Sequence, residues 1–165
     1  MAVDQRTHRI GIISDTHGKL DPDVHRIFAD VDTIIHTGDI GKDEILTELK
    51  CIAPVSAVFG NTDRGPLRDR LKAVLLLSFD PYKISVTHIP EHLRRIVIDP
   101  DQYNIQCAGH THEPLIKQER NRLYINPGSA SQPRGGYEPS VAVLTIDGIE
   151  PKAEIVFLGT EMENP

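Results

Sequence analysis

Short runs rich in Ile and Val punctuate the chain, and two amphipathic stretches lie between the first three of them. Residues 9–14, 33–36 and 55–59 have the length and β-branched content of buried strands. Between them, Val24, Ile27 and Phe28 recur at the i, i+3, i+4 spacing of one helix face, which predicts a helix over residues 23–29. Ile45, Leu46 and Leu49 predict a second helix over 43–50. Asp43 and Glu44 open it and Lys50 closes it, the charge order that suits the helix dipole. Strand–helix–strand–helix–strand order implies parallel pairing through crossover connections.

The second half has a different rhythm. Runs at 83–87 and 104–108 again read as strands. Residues 71–77 and 83–87 flank Asp80-Pro81, 115–118 and 123–125 flank a polar stretch, and 141–146 and 153–158 flank Asp147-Gly148. Each pair predicts an antiparallel hairpin. An α/β front half and a mainly β back half are reconciled by two stacked sheets with helices outside. Nothing resembling a linker divides the 165 residues, so the expectation is one domain, with its core at about 9–158 and a polar tail at 159–165.

Composition narrows the function classes. There are 18 Lys+Arg against 24 Asp+Glu, a net charge of -6, which argues against general nucleic-acid binding. The longest apolar run is five residues, 73–77, where a bilayer needs roughly 20. The first nine residues are polar and contain no apolar signal segment. Cys51 and Cys107 stand apart, outside any Cys-x-x-Cys pair, and read as small buried hydrophobes. A cytoplasmic protein without membrane contact is expected.

The candidate chemistry lies just after the strands. The first is followed by Asp15 and His17, the second by Gly38-Asp39, the third by Gly60-Asn61, the 83–87 run by His88, and the 104–108 run by Gly109-His110-Thr111-His112. Sites in α/β sheets form at the carboxyl ends of strands, so these seven side chains can converge. Their oxygen and nitrogen donors suit borderline divalent metals, and no thiolate is offered. Two Asp, four His and one Asn are too many for one tetrahedral ion and about right for two ions sharing a carboxylate. Two dications bring +4 and the two Asp return -2, leaving charge to hold a hydroxide and a phosphate ester. Neutral Asn61 is a sensible ligand in such a site.

In this order the five blocks resemble the calcineurin-like metallophosphoesterase superfamily, from about residue 10 to about residue 146. Asn126-Pro127-Gly128-Ser129 and the chain length resemble its small bacterial and archaeal phosphodiesterase branch. The resemblance implies a four-layer α-β-β-α sandwich of two mixed sheets. It implies that Asp15, His17 and His112 hold one metal ion, that Asn61, His88 and His110 hold a second, and that Asp39 bridges them. It implies a phosphodiesterase in which a metal-bridging hydroxide attacks phosphorus in line, with Asp39, Asn61 and His88 as the catalytic set. Two divalent cations (Mn, Ni, Fe, Co or Zn), a phosphate-ester or nucleotide-like substrate and a homo-oligomer are the corresponding expectations.

Several positions depart from that pattern or extend it. Many relatives carry His after the motif Asn to protonate the leaving group. Here it is Thr62, whose hydroxyl cannot act as an acid near neutral pH, so substrates with good leaving groups, or a proton from water, are expected. Ile89-Pro90 stands where Gly usually follows the His, which predicts a more apolar surface there. Asp63 either orients a ligand histidine or caps backbone amides. His36 is expected in the core or beneath the site, Asn126 to Ser129 as a structural loop, and Arg134 as a solvated loop arginine. His8, His25 and His92 read as surface residues. Substrate selection is expected in residues 64–70 and 89–95. The alternative function is a binding scaffold of the same fold, like the retromer scaffold subunit, but scaffolds are free to lose ligands and all seven positions here keep competent ones.

Overall fold

The computed structural model describes residues 6–96, 99, 102–148 and 150–159, so most of the expected tail lies outside the described residues. The elements in chain order are β1 (His8–Ile13), α1 (Asp23–Ile27), β2 (Thr33–His36), α2 (Asp43–Lys50), β3 (Val55–Ala57), α3 (Pro66–Arg70) and β4 (Val74–Phe79). Then follow β5 (Tyr82–Thr87), α4 (Glu91–Arg95), β6 (Ile105–Cys107), β7 (Pro114–Glu119), β8 (Arg122–Pro127), β9 (Ser140–Ile146) and β10 (Pro151–Phe157).

Two mixed five-stranded sheets result, in the orders β10-β9-β1-β2-β3 and β4-β5-β6-β8-β7. In the first, β1, β2 and β3 are parallel, and β9 runs antiparallel to β1. In the second, β5, β6 and β8 are parallel, flanked by antiparallel β4 and β7. The expected hairpins are β4–β5, β7–β8 and β9–β10.

Period-2 alternation sorts the side chains. Ile10 and Ile12 of β1, Ile35 of β2, and Ala142 and Leu144 of β9 face the second sheet. There they meet Ile84, Val86, Ile105, Cys107, Leu123 and Ile125. The opposite face of the first sheet, with Ile13, Ile34, Val141 and Val143, is covered by Val24 and Phe28 from around α1 and by Ile45, Leu46 and Leu49 of α2. Gly11 lets the Phe28 ring lie on β1, since a Cβ there would sit 2.9 Å from three ring carbons. Burying such side chains contributes roughly 1.5–3 kcal/mol each. The outer face of the second sheet carries the five-residue α4, whose buried Leu93 shares a cavity with Gln106 and Tyr124.

Some boundaries differ from expectation for identifiable reasons. The third strand was expected to reach residue 59, but its ladder with β2 stops at Ala57 and Val58 bridges to Lys72 instead. The run at 71–77 begins late because Leu71 closes α3 through a hydrogen bond to the Leu67 carbonyl. Neither α3 nor α4 was expected, because five residues hold too few turns to show a period. Pro66 and Pro90 open them, where a missing N–H costs nothing. Cys51 is exposed rather than buried. It follows the last turn of α2, beyond the face carried by Ile45, Leu46 and Leu49.

Candidate metal centre

All seven predicted donors meet at one rim, where the parallel strands of both sheets end. Asp15 and His17 follow β1, Asp39 follows β2, Asn61 follows β3, His88 follows β5, and His110 and His112 follow β6. The donors lie one to five positions past their strands, because the chain has to leave the ladder before it can turn inward.

The contacts fall into two overlapping groups. Asp15 Oδ1 lies 3.0 Å from His112 Nε2 and 3.8 Å from His17 Nε2, and the two imidazole nitrogens are 3.5 Å apart. His88 Nε2 lies 3.3 Å from Asp39 Oδ2, 3.9 Å from Asp15 Oδ1 and 3.0 Å from Asn61 Oδ1. His110 Nδ1 is 3.1 Å from the same Asn61 oxygen. Asp39 Oδ2 reaches both groups, at 3.9 Å from His17 Nε2. The donor atoms of Asp15, His17 and His112, and those of Asp15, Asp39 and His88, lie close enough to hold a cation each. Asp15 Oδ1 is buried without a hydrogen bond among the described residues. Asp15 Oδ1 and the His112 nitrogen stand at contact distance unaligned as a hydrogen bond, which is how ligands of a common cation are arranged. An oxygen and nitrogen set with no thiolate fits a borderline or hard divalent ion.

Backbone carbonyls aim two of the imidazoles. His88 Nδ1 is 3.0 Å from the Thr37 oxygen and His112 Nδ1 is 2.5 Å from the Gln132 oxygen. A carbonyl only accepts, so each Nδ1 carries the hydrogen and each Nε2 turns toward the carboxylates. Burial lowers the pKa of His88, but the Asp39 hydrogen bond and the charges of Asp15 and Asp39 overcome it and hold the pKa above the usual histidine value. The adjacent Asp15 carboxylate raises that of His112 against a smaller effect of burial. Burial raises both carboxylates, yet the imidazoles around them and, for Asp39, the Thr62 N–H leave them below the ordinary range.

Glycines make the room. A Cβ on Gly60 would sit 2.0 Å from Asp39 Oδ1, and one on Gly109 would sit 2.1 Å from Ser14 Oγ. Five donor residues, Asp15, His17, Asp39, His110 and His112, have positive φ, between 45° and 73°. Buried polar groups hold them. Asp63 is 1% exposed and accepts the N–H groups of Gly60, Gly41 and Ile40 at 2.8, 2.9 and 3.2 Å, so of its two expected roles it caps amides. Ser129 and Ser131 donate to the Asp15 carbonyl, and Asn126 donates to the Gly109 carbonyl and Thr111 Oγ1. The loop at 126–129 is therefore structural, as expected.

His36 is fully buried. Its Nδ1 accepts the Gly38 N–H at 3.1 Å, so Nε2 carries the hydrogen and donates to Thr16 Oγ1 at 3.0 Å. The Thr16 hydroxyl passes its own proton to the Ile40 carbonyl. Burial pushes the pKa of His36 down to about 4, against the pull of nearby carboxylates.

Arg134 is exposed on the loop next to His112. His25 is exposed and faces Glu48 at 2.7 Å, and His8 packs edge-on against Phe79. His92 differs from the surface reading. With Arg64, Arg68, Phe59 and Ile89 it lines a cleft that opens beside Asn61 and His88. The only sequence signal for this cleft was its placement within the two stretches expected to select substrate.

Known proteins resemble this chain in sequence and in fold. The profile of the calcineurin-like phosphoesterase superfamily domain matches residues 9–148. A probable metallophosphoesterase of Methanothermobacter thermautotrophicus is 35% identical over 164 residues, covering 91% of this chain and 92% of its own. A phosphodiesterase of Methanocaldococcus jannaschii is 30% identical over 162 residues, covering 87% and 95%. The crystal structure of a predicted phosphoesterase from Streptococcus pneumoniae superposes with a TM-score of 0.74 at 27% identity, covering 92% of this chain and 90% of that one. Vacuolar protein sorting 29 from Cryptosporidium parvum reaches 0.70 at 19% identity, covering 91% and 97%, a likeness of fold alone.

Proposed function

The chain belongs to the calcineurin-like phosphoesterase superfamily and is a metal-dependent phosphoric ester hydrolase, and we propose that it works as a dinuclear phosphodiesterase. Asp15, His17 and His112 hold one divalent cation. Asn61, His88 and His110 hold the other, and Asp39 reaches both. The observation that carries this reading is the buried Asp15 Oδ1, unpartnered yet 3.0 Å from His112 Nε2. Burying a charged oxygen without a partner is costly, and a cation removes that cost.

When bound, a pair of such ions supplies Lewis-acid charge for the phosphoryl oxygens and acidifies water for in-line attack. The protein residues do the rest. Thr37 and Gln132 hold His88 and His112 in the tautomer that turns Nε2 inward. Asn61 turns Oδ1 toward His88 and His110, which leaves its Nδ2 to donate to a phosphoryl oxygen. Asp63 holds the backbone of Gly60, Gly41 and Ile40, and so fixes the turns that carry Asn61 and Asp39. Thr62 offers no acid, so the leaving group departs with a proton from water or needs none. The scaffold alternative keeps the fold but leaves the aimed tautomers and the unpartnered carboxylate oxygen without a purpose.

The test is metal counting joined to hydrolysis. Purified protein loaded with Mn, Ni, Co, Fe or Zn is expected to bind two ions per chain and to hydrolyse bis(p-nitrophenyl) phosphate. Asp39→Asn should lower both, with turnover down at least about 1000-fold. Unchanged hydrolysis in that variant refutes the assignment, and no turnover with any of the five metals favours the scaffold.

A further inference from the structure

The cleft beside the donor cluster stands apart in its charge. Its volume is about 400 Å³, within the range of small-molecule sites. Phe59 and Ile89 form apolar walls, and Arg64, Arg68 and His92 supply donors. Among the described residues no carboxylate lines it, although the chain carries 24 acidic residues. Three other surface cavities each include a glutamate: Glu91 and Glu113 in one, Glu119 in the next, Glu150 in the third. An acidic chain repels anions from most of its surface, so a carboxylate-free cleft with two guanidiniums is where an anionic group finds a favourable field.

Both guanidiniums are held in place. Arg64 Nη1 donates to the Asn61 and Asp63 carbonyls at 2.6 and 3.0 Å. The Arg68 guanidinium lies 4.3 Å from the centre of the Phe59 ring, which takes one of its faces and leaves its N–H edge without a hydrogen bond among the described residues. Arg70, in the same stretch, is paired with Asp43 instead. Asn61 and His88 belong to both the cleft and the donor cluster, so the cleft lies within reach of an ester arm of a phosphodiester bound at the cluster.

We infer that this cleft is a subsite for a second phosphate. It takes the ester arm that carries a further phosphoryl group, with the sugar or base of that arm against Phe59 and Ile89. The preferred substrates are then phosphodiesters with a phosphorylated, nucleotide-like arm. This rests on the phosphodiesterase reading and narrows its substrate class.

The test is binding of two probes to the Mn-loaded protein by titration calorimetry: thymidine 3′,5′-bisphosphate and thymidine 5′-monophosphate. The bisphosphate is expected to bind at least about tenfold more tightly, as guanidinium–phosphate pairing requires. In Arg68→Ala and in Arg64→Ala the preference should shrink to about twofold, and Arg68→Lys should recover only part of it, because an ammonium lacks the stacked fork. In the unaltered protein the preference should also weaken as salt rises, a readout independent of any variant's folding. Equal affinities for the two probes, or a full preference in both alanine variants, overturn the inference. Hydrolysis of bis(p-nitrophenyl) phosphate separates the failures. Hydrolysis without the preference removes the subsite alone, whereas absence of hydrolysis with every metal removes the enzymatic reading.

Discussion

Lowering the pH should destabilise this protein through His36, and the size of the effect follows from its hydrogen bonds. The ring is fully buried, accepts from Gly38 at Nδ1 and donates to Thr16 at Nε2. A second proton would go on Nδ1, where it would meet the Gly38 N–H and break the relay. The folded ring therefore stays neutral down to about pH 4, whereas the unfolded chain protonates it near 6.5. Between those values the unfolded state binds the extra proton, so stability falls as pH falls and levels off below about 4. The separation is 6.5 minus 4, and at roughly 1.4 kcal/mol per unit it corresponds to about 3 kcal/mol.

Other groups titrate in the same range, so the measurement is a difference. His36→Gln keeps a donor and an acceptor and never titrates. His88, His112 and the carboxylates titrate in both proteins and cancel. Urea unfolding, followed by far-UV circular dichroism because the chain has no Trp, would be run with chelator present between pH 7 and 5. The stability of the unaltered protein relative to the variant should fall by about 2 kcal/mol between pH 6.5 and 5. Parallel stability curves would refute the reasoning, because they would mean that His36 takes up its proton equally well in both states.

Cation binding should weaken steeply with acidity. Asp39 and Asp15 raise the pKa of His88 and His112 above the ordinary histidine value, so protons compete with a cation for these nitrogens as the pH falls. Calorimetry in buffers of different ionisation enthalpy should show proton release on cation binding that grows as the pH is lowered, and no release at any pH contradicts it. Gly60→Ala should abolish metal binding and lower the melting temperature, since its Cβ would sit 2.0 Å from Asp39 Oδ1 and 2.3 Å from Asp39 N. Hydrolysis and metal content at the unaltered level would show that the turn yields. Asn126→Ala should cost about 2–3 kcal/mol in chemical denaturation, because it strips a partner from the buried Gly109 carbonyl and the Gly128 N–H. A loss below about 0.5 kcal/mol would remove the loop's supporting role.

The sheets were legible because burial on both faces leaves continuous apolar runs such as Ile10 to Ile13, and because Asp147-Gly148 marks a hairpin. The helices α1 and α2 were legible from their spaced apolar faces. What failed was short or relational. The helices α3 and α4 span five residues each, too few for a period to emerge. The end of β3 was misread because Val58 and Phe59 remain apolar while the backbone partner passes from His36 of β2, which still accepts the Val58 N–H, to Lys72, which accepts that of Phe59. His92 was legible only as a member of the 89–95 stretch, since its placement in the cleft depends on how α4 lies against residues distant in sequence.

The donor set was legible by type and order, yet its local geometry was not, and the reason lies in the backbone. Left-handed φ is ordinarily left to glycine, and Asp and His adopt it at a cost on the order of 1 kcal/mol. Here five donor residues adopt it. A residue that bends this way reverses the chain just past a strand and turns its side chain back over the strand end, so a donor is aimed without a longer loop. The conformation persists because hydrogen bonds over-determine it. The N–H groups of Asp15 and His17 donate to the Gly38 and Asp39 carbonyls, tying the first donor turn to the second. The His110 N–H donates to Asp15 Oδ2, tying the turn after β6 to the turn after β1. Strain is thus offset by bonds between neighbouring donor turns, and these three turns stand or fall together. That coupling gives Asp63, Asn126 and Ser129 their importance although none is among the seven donors: they hold the turns in the arrangement that gathers the donors at one rim.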